Sequence, residues 1–212
     1  MRYVLALMLA AGAAAGAREA QTYQQVLGRD RVDKVMNKVI SRAEERFSNS
    51  YLIGDELIGQ LQALGVPEQT ITLLNDLKGR EIQGEDAFVE ALKMAVGEEQ
   101  AKELRSPRHN VVEEARGELK VTGAFFQPVE LLILRKPVPA GLNKRGAEKA
   151  LEESFGGFLN KFIAERRAAE GNTNKLVLGG QGLDGFIKRL REECGKVPCD
   201  ELACCEKCMP CP

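Results

Sequence analysis

All six cysteines of this 212-residue chain fall between Cys194 and Cys211, in the run CGKVPCDELACCEKCMPC, and no other residue type here offers so wide a choice of chemistry. Oxidised, Cys194, Cys199, Cys204, Cys205, Cys208 and Cys211 close disulfides that staple a segment poor in apolar side chains. An even number gives every thiol a partner, although spacing does not select the pairing. Cys204 and Cys205 bond to different partners, because a bridge between neighbours strains the peptide that joins them. Reduced, the overlapping steps Cys205-x2-Cys208-x2-Cys211 supply thiolates of the kind that hold zinc or copper(I). A CxxC step can also cycle between dithiol and disulfide, but here it lacks the strand and helix context of thioredoxin-like sites.

Redox compartment decides between these uses, and the N-terminus bears on it. Arg2, the apolar run Tyr3 to Ala11 and the small residues Ala15-Gly16-Ala17 have the charge, length and cleavage features of a secretory signal peptide over residues 1–17. The expected location is therefore outside the cell or in the lumen of the secretory pathway, with the cysteines as disulfides and a zinc or copper site as the alternative. The run is shorter than the ~20 residues that span a bilayer, and no later stretch approaches that length free of charge. No transmembrane segment is expected after cleavage.

Other chemistry-bearing residues carry less. His109 is the only histidine, placed in the turn-rich stretch Ser106 to Asn110, where it reads as exposed and without a nucleophile to activate. Gly180-Gln181-Gly182-Leu183-Asp184-Gly185 has the GxGxxG spacing, after a strand-like Leu176-Val177-Leu178 and before a helix-like Phe186 to Glu193. A dinucleotide site needs a second parallel strand with an acidic end ~20 residues on, where this chain has its cysteine run, so a plain glycine turn is expected. The pairs Glu44-Glu45, Glu98-Glu99, Glu113-Glu114 and Glu152-Glu153 sit in helical contexts, where neighbours diverge and serve solubility rather than paired acid–base work. With 30 basic and 31 acidic residues, no Trp and 5% aromatics, the chain has neither the field nor the stacking rings for nucleic acid.

The elements that must position these residues are mostly helical. Val32, Val35, Met36, Val39, Ile40, Ala43 and Phe47 form one helical stripe over 21–47. Short helices follow, bounded by Asp55 and Gly65, by Pro67 and Gly79, and by Gly97 behind a stripe from Glu85 to Val96, with Glu98 to Leu104 after it. Being marginal alone, they are expected to bury their stripes against one another and against the first helix. Leu119 to Phe126 alternates weakly and Val129 to Leu134 is nearly continuous apolar, so two buried strands or one irregular core segment are expected around 119–135. Leu151, Phe155, Phe158, Leu159, Phe162 and Ile163 mark a second strong helix, with Gly156-Gly157 set to weaken or kink it.

The expectation is a mainly α protein: a helical bundle of short Gly-capped helices at 18–105, a second mainly helical region at 106–193 that packs on the first or stands alone, a small β element around 119–135, and a disulfide-rich tail at 194–212. Its expected function is non-enzymatic binding or structural support with an unidentified protein partner, no nucleic acid and no cofactor. The alternative is a metal-binding or thiol-redox protein using Cys205, Cys208 and Cys211.

Overall fold

In the computed structural model, which describes residues 21–171 and 173–194, the helical stripe expected over 21–47 is broken once, at Gly28. Thr22 caps α1 (Tyr23–Leu27) by accepting from the Gln25 amide at its hydroxyl, while the Gln25 side chain accepts from the Thr22 amide. Gly28 then takes φ +78°, a conformation open to glycine, and α2 (Arg29–Ser48) buries all seven residues of the stripe.

The chain next builds β1 (Ser50–Tyr51), α3 (Asp55–Ala63), α4 (Glu68–Leu74), β2 (Ile82–Gln83), α5 (Glu85–Val96), α6 (Glu98–Leu104) and α7 (Val111–Ala115), with β1 and β2 antiparallel. Punctuation falls where the sequence places it at three points, whereas α4 ends at Leu74, short of the expected Gly79, and Gly54 rather than Asp55 is the cap of α3. Pro67 caps α4, Gly65 turns the chain after α3 at φ +80°, and Gly97 separates α5 from α6. Their buried side chains, Leu57, Leu61, Ile71, Leu74, Phe88 and Leu92 among them, form one core of their own. The stripe of α2 is not part of it. It packs instead on later helices, which carry phenylalanines large enough to cover its length, while the short helices use up their stripes on each other.

Those later elements are β3 (Glu118–Val121), α8 (Gly123–Arg135), α9 (Lys144–Ala169), β4 (Lys175–Leu178) and α10 (Leu183–Cys194). β3 and β4 pair in parallel, Leu119 beside Leu176 and Val121 beside Leu178. The small β element expected at 119–135 thus exists only at its start. Val129 to Leu134 is helical, because Phe125, Val129 and Ile133 recur four apart and are buried, while Leu131 points outward at 53% exposure. Pro128 sits inside α8 and cannot donate to the Ala124 carbonyl one turn back. Against that oxygen the backbone of Gly180 packs so closely that a β-carbon would stand 3.3 Å from it. Gly156-Gly157 does not interrupt α9. A β-carbon at Gly156 would meet only Val39 at 3.8 Å, and one at Gly157 would meet nothing.

Two cores result, one built from residues 21–47 and 119–190 and the other from 51–115. The second is an insertion between α2 and β3, and its two connections run side by side. Leu52 donates to the Ala115 carbonyl at 2.9 Å, Gly117 donates to the Ser50 carbonyl at 2.7 Å, and Tyr51 bridges Arg116 in antiparallel fashion. We call the two parts lobe one and lobe two and their double connection the neck. Among the described residues no helix is long and apolar enough to cross a membrane.

Candidate functional site

The neck concentrates the buried polar groups that hold the lobes together. Asn174, in the turn before β4, is 6% exposed and donates to the Ser50 carbonyl at 3.1 Å and the Ala115 carbonyl at 2.8 Å, one on each strand of the neck. Its side-chain oxygen accepts from Arg167 of α9 at 2.8 Å. Arg167 also reaches Glu81 of lobe two at 2.6 Å and lies over the Phe47 ring, 4.7 Å from its centroid. Gly117 is glycine for a steric reason: a β-carbon there would collide with the Phe47 carbonyl oxygen.

On one side of the neck lies a groove of about 590 Å³ to which both lobes contribute. Lobe one supplies Arg42, Glu45, Arg46 and Asn49 from α2 and its end, and lobe two with the neck supplies Tyr51, Gln83, Glu85 and Arg116. Tyr51 is 2% exposed and stacks on Phe88 with centroids 5.1 Å apart. Its hydroxyl donates to Glu85 at 3.2 Å and accepts from Arg116 Nε at 3.2 Å. Arg116 closes the triad by donating to Glu85 at 2.9 Å, and pairs with Glu113 at 3.2 Å. The hydrogen bond to Tyr51 is the first reason the guanidinium is held above its ordinary value; the charge is permanent. Arg46 donates to Asn160 of α9 at 2.9 Å, and Arg42 pairs with Glu152.

A second groove, about 630 Å³, continues along α2 and α9 over Val39, Ala43, Gly156 and Leu159. Its rim is zipped by Lys38 with Glu152 at 2.9 Å, and Arg31 pairs with Glu148 at 2.9 Å nearer the start of α9. The hydrogen bond from Lys38, ahead of the attraction of Arg42, holds the Glu152 carboxyl below its ordinary value.

Compared with models of known protein families, with curated proteins and with solved structures, the chain matches none. The site is argued from its own geometry.

Of the cysteines, Cys194 is the last residue of α10, while Cys199, Cys204, Cys205, Cys208 and Cys211 lie outside the described residues, as do residues 1–17. Both the disulfide set and the alternative zinc or copper set rest on the sequence. Among the described residues, no three His, Cys, Asp or Glu side chains are gathered as for a metal. His109 is not the exposed linker residue expected: it is 5% exposed, with Nδ1 3.1 Å from the Glu103 carbonyl oxygen. A turn over 106–110 folds back on α6, the His109 amide donating to the Ser106 carbonyl, and this carries the ring inward. The glycine spacing at 180–185 does follow a strand and open a helix, and Gly180 serves the close approach to Ala124.

Sequence reasoning passed over the residues that matter most at the neck. Asn174 and Arg167 are polar residues in polar surroundings, and nothing local marks them as buried. Glu130 had a signal: it is the one charge in the apolar run Val129 to Leu134, and it is 4% exposed.

Proposed function

We propose that this chain is an exported, non-enzymatic binding protein, whose helical body grips a protein partner in the groove at the neck and whose six cysteines close a disulfide-stabilised module. The observation that carries the partner reading is the construction of that groove. Two lobes contribute to it, the Arg116 guanidinium is fixed by Tyr51, Glu85 and Glu113, and the arginines of α2 stand beside the acceptors Glu45 and Asn49. Fixed donors alternating with acceptors beside the buried Tyr51 ring suit a polypeptide segment better than a small apolar molecule. The charge, length and cleavage features of residues 1–17 support export, and export in turn favours disulfides at Cys194 to Cys211.

A photo-crosslinking side chain at position 46 of the full chain, expressed in secreting cells, tests the groove. An adduct at 46 that is absent for the same probe at Gln69 on α4, and that is lost on Arg116→Glu, is the expected result. Adducts at 69 and none at 46 would move the partner elsewhere. A second reading is favoured by the overlapping CxxC steps: thiolate binding of zinc or copper by Cys205, Cys208 and Cys211. Intact mass before and after reduction with alkylation, with metal analysis, separates the two. A chain beginning near Arg18, closed to alkylation until reduced and free of metal, supports the first reading; free or metal-bound thiols support the second.

A further inference from the structure

Between α2 and α8, inside lobe one, two carboxyl groups meet. Glu130 is 4% exposed, and neither its Oε1 nor Asp33 Oδ1 has a hydrogen-bond partner. Arg29 Nε stands 2.8 Å from Glu130 Oε1 as an ion pair, but without the angle of a hydrogen bond. Asp33 stands one turn along α2 from Arg29, on the face of the helix that Arg29 brings against Glu130. Two ionised acceptors cannot satisfy one another, whereas one proton between them satisfies both.

We propose that Asp33 holds a proton and donates it to Glu130, forming an acid-closed latch between α2 and α8, tight while that proton is held and loosened when Asp33 ionises. The charged groups acting on Asp33 are Glu130 across the interface and Arg29 and Asp30 on its own helix, so one cation faces three carboxyls. Neighbouring charges are committed elsewhere: Arg31 to Glu148 and Lys38 to Glu152 of α9. Tyr23, the one titratable side chain of α1, is buried, and Lys136 beyond α8 is buried and donates to Ser154 at 2.8 Å. The latch also sits where the chain is tied together, because α1 packs on α2 and α8 and the Tyr23 amide donates to the Lys136 carbonyl.

Burial first, then the charge of Glu130, raises the Asp33 carboxyl above its ordinary value. A raised folded value means that the extra stability is fully present below the value of the unfolded carboxyl and is lost as pH rises through the folded value. Asp33→Asn mimics the protonated form permanently. Thermal unfolding of the full chain from about pH 4 to about pH 8 tests this. Asp33→Asn is expected to melt several degrees above wild type at the alkaline end, with the difference closing toward the acid end. A difference independent of pH, or a variant less stable at every pH, overturns the latch. A carboxyl-carbon NMR titration of the wild type reads it without substitution: Asp33 titrating at or below its ordinary value overturns the proposal, and a raised Asp33 titration supports it.

Discussion

Lobe one and lobe two spend their apolar residues differently. Lobe two is one continuous stretch of short helices, filled mainly by Leu, Ile and Val around the stacked pair Tyr51 and Phe88. Lobe one is assembled from two separated stretches around an aromatic cluster, in which Phe162 lies 5.3 Å from Phe125 and 5.1 Å from Phe186, and Phe158 lies 5.3 Å from Phe186. Its strands pair across the whole of α8 and α9, so its contacts close long loops that those of lobe two do not. Lobe one also buries Glu130 and Lys136, and it supplies both residues that pin the neck, Arg167 and Asn174. The difference teaches that lobe two can be local and aliphatic because lobe one carries the cost of joining them.

If that division is right, Phe162→Ala should cost about 3–5 kcal/mol in chemical denaturation, because the ring is 1% exposed and touches two others. The loss should fall on lobe one and leave the helices of lobe two less affected. Gly117→Ala attacks the connection itself, driving a β-carbon into the Phe47 carbonyl, and a loss of about 3 kcal/mol or more is expected in the same measurement. Asn174→Ala removes one donor from each neck strand and the acceptor of Arg167, while Leu52 and Gly117 still satisfy the two carbonyls. Its expected cost is about 1–3 kcal/mol, with protease cleavage appearing first around 48–52 and 115–117.

The smallest effect is expected on the α2–α9 rim. Glu152→Gln should cost about 0.5 kcal/mol, since its cations stand at the surface. Because the Glu152 carboxyl lies below its ordinary value, its contribution is present above the unfolded value and is lost as pH falls through the folded one. A Tm series should therefore show the Glu152→Gln difference vanishing in acid, with the sign opposite to that of Asp33→Asn.

Helices were legible where period and punctuation agreed. The seven-residue stripe of α2, the six-residue stripe of α9 and the Gly97 boundary of α5 stand as read. The partnership of α2 was not legible, because an amphipathic stripe states that a face is buried and not what covers it. The run Val129 to Leu134 misled because the outward Leu131 fills the gap that would have revealed a four-residue step. The neck was illegible for another reason: Asn174 and Arg167 bury polar atoms through partners far along the chain, and no window around either contains Ser50 or Ala115.

Native-state hydrogen exchange of the full chain in increasing low urea tests the two-lobe account most directly. Amides of α3, α4 and α5 should merge into one opening isotherm and those of α2, α8 and α9 into another, with different free energies, and Phe162→Ala should lower mainly the second. A single isotherm shared by all six helices, falling equally in both lobes on Phe162→Ala, would contradict it.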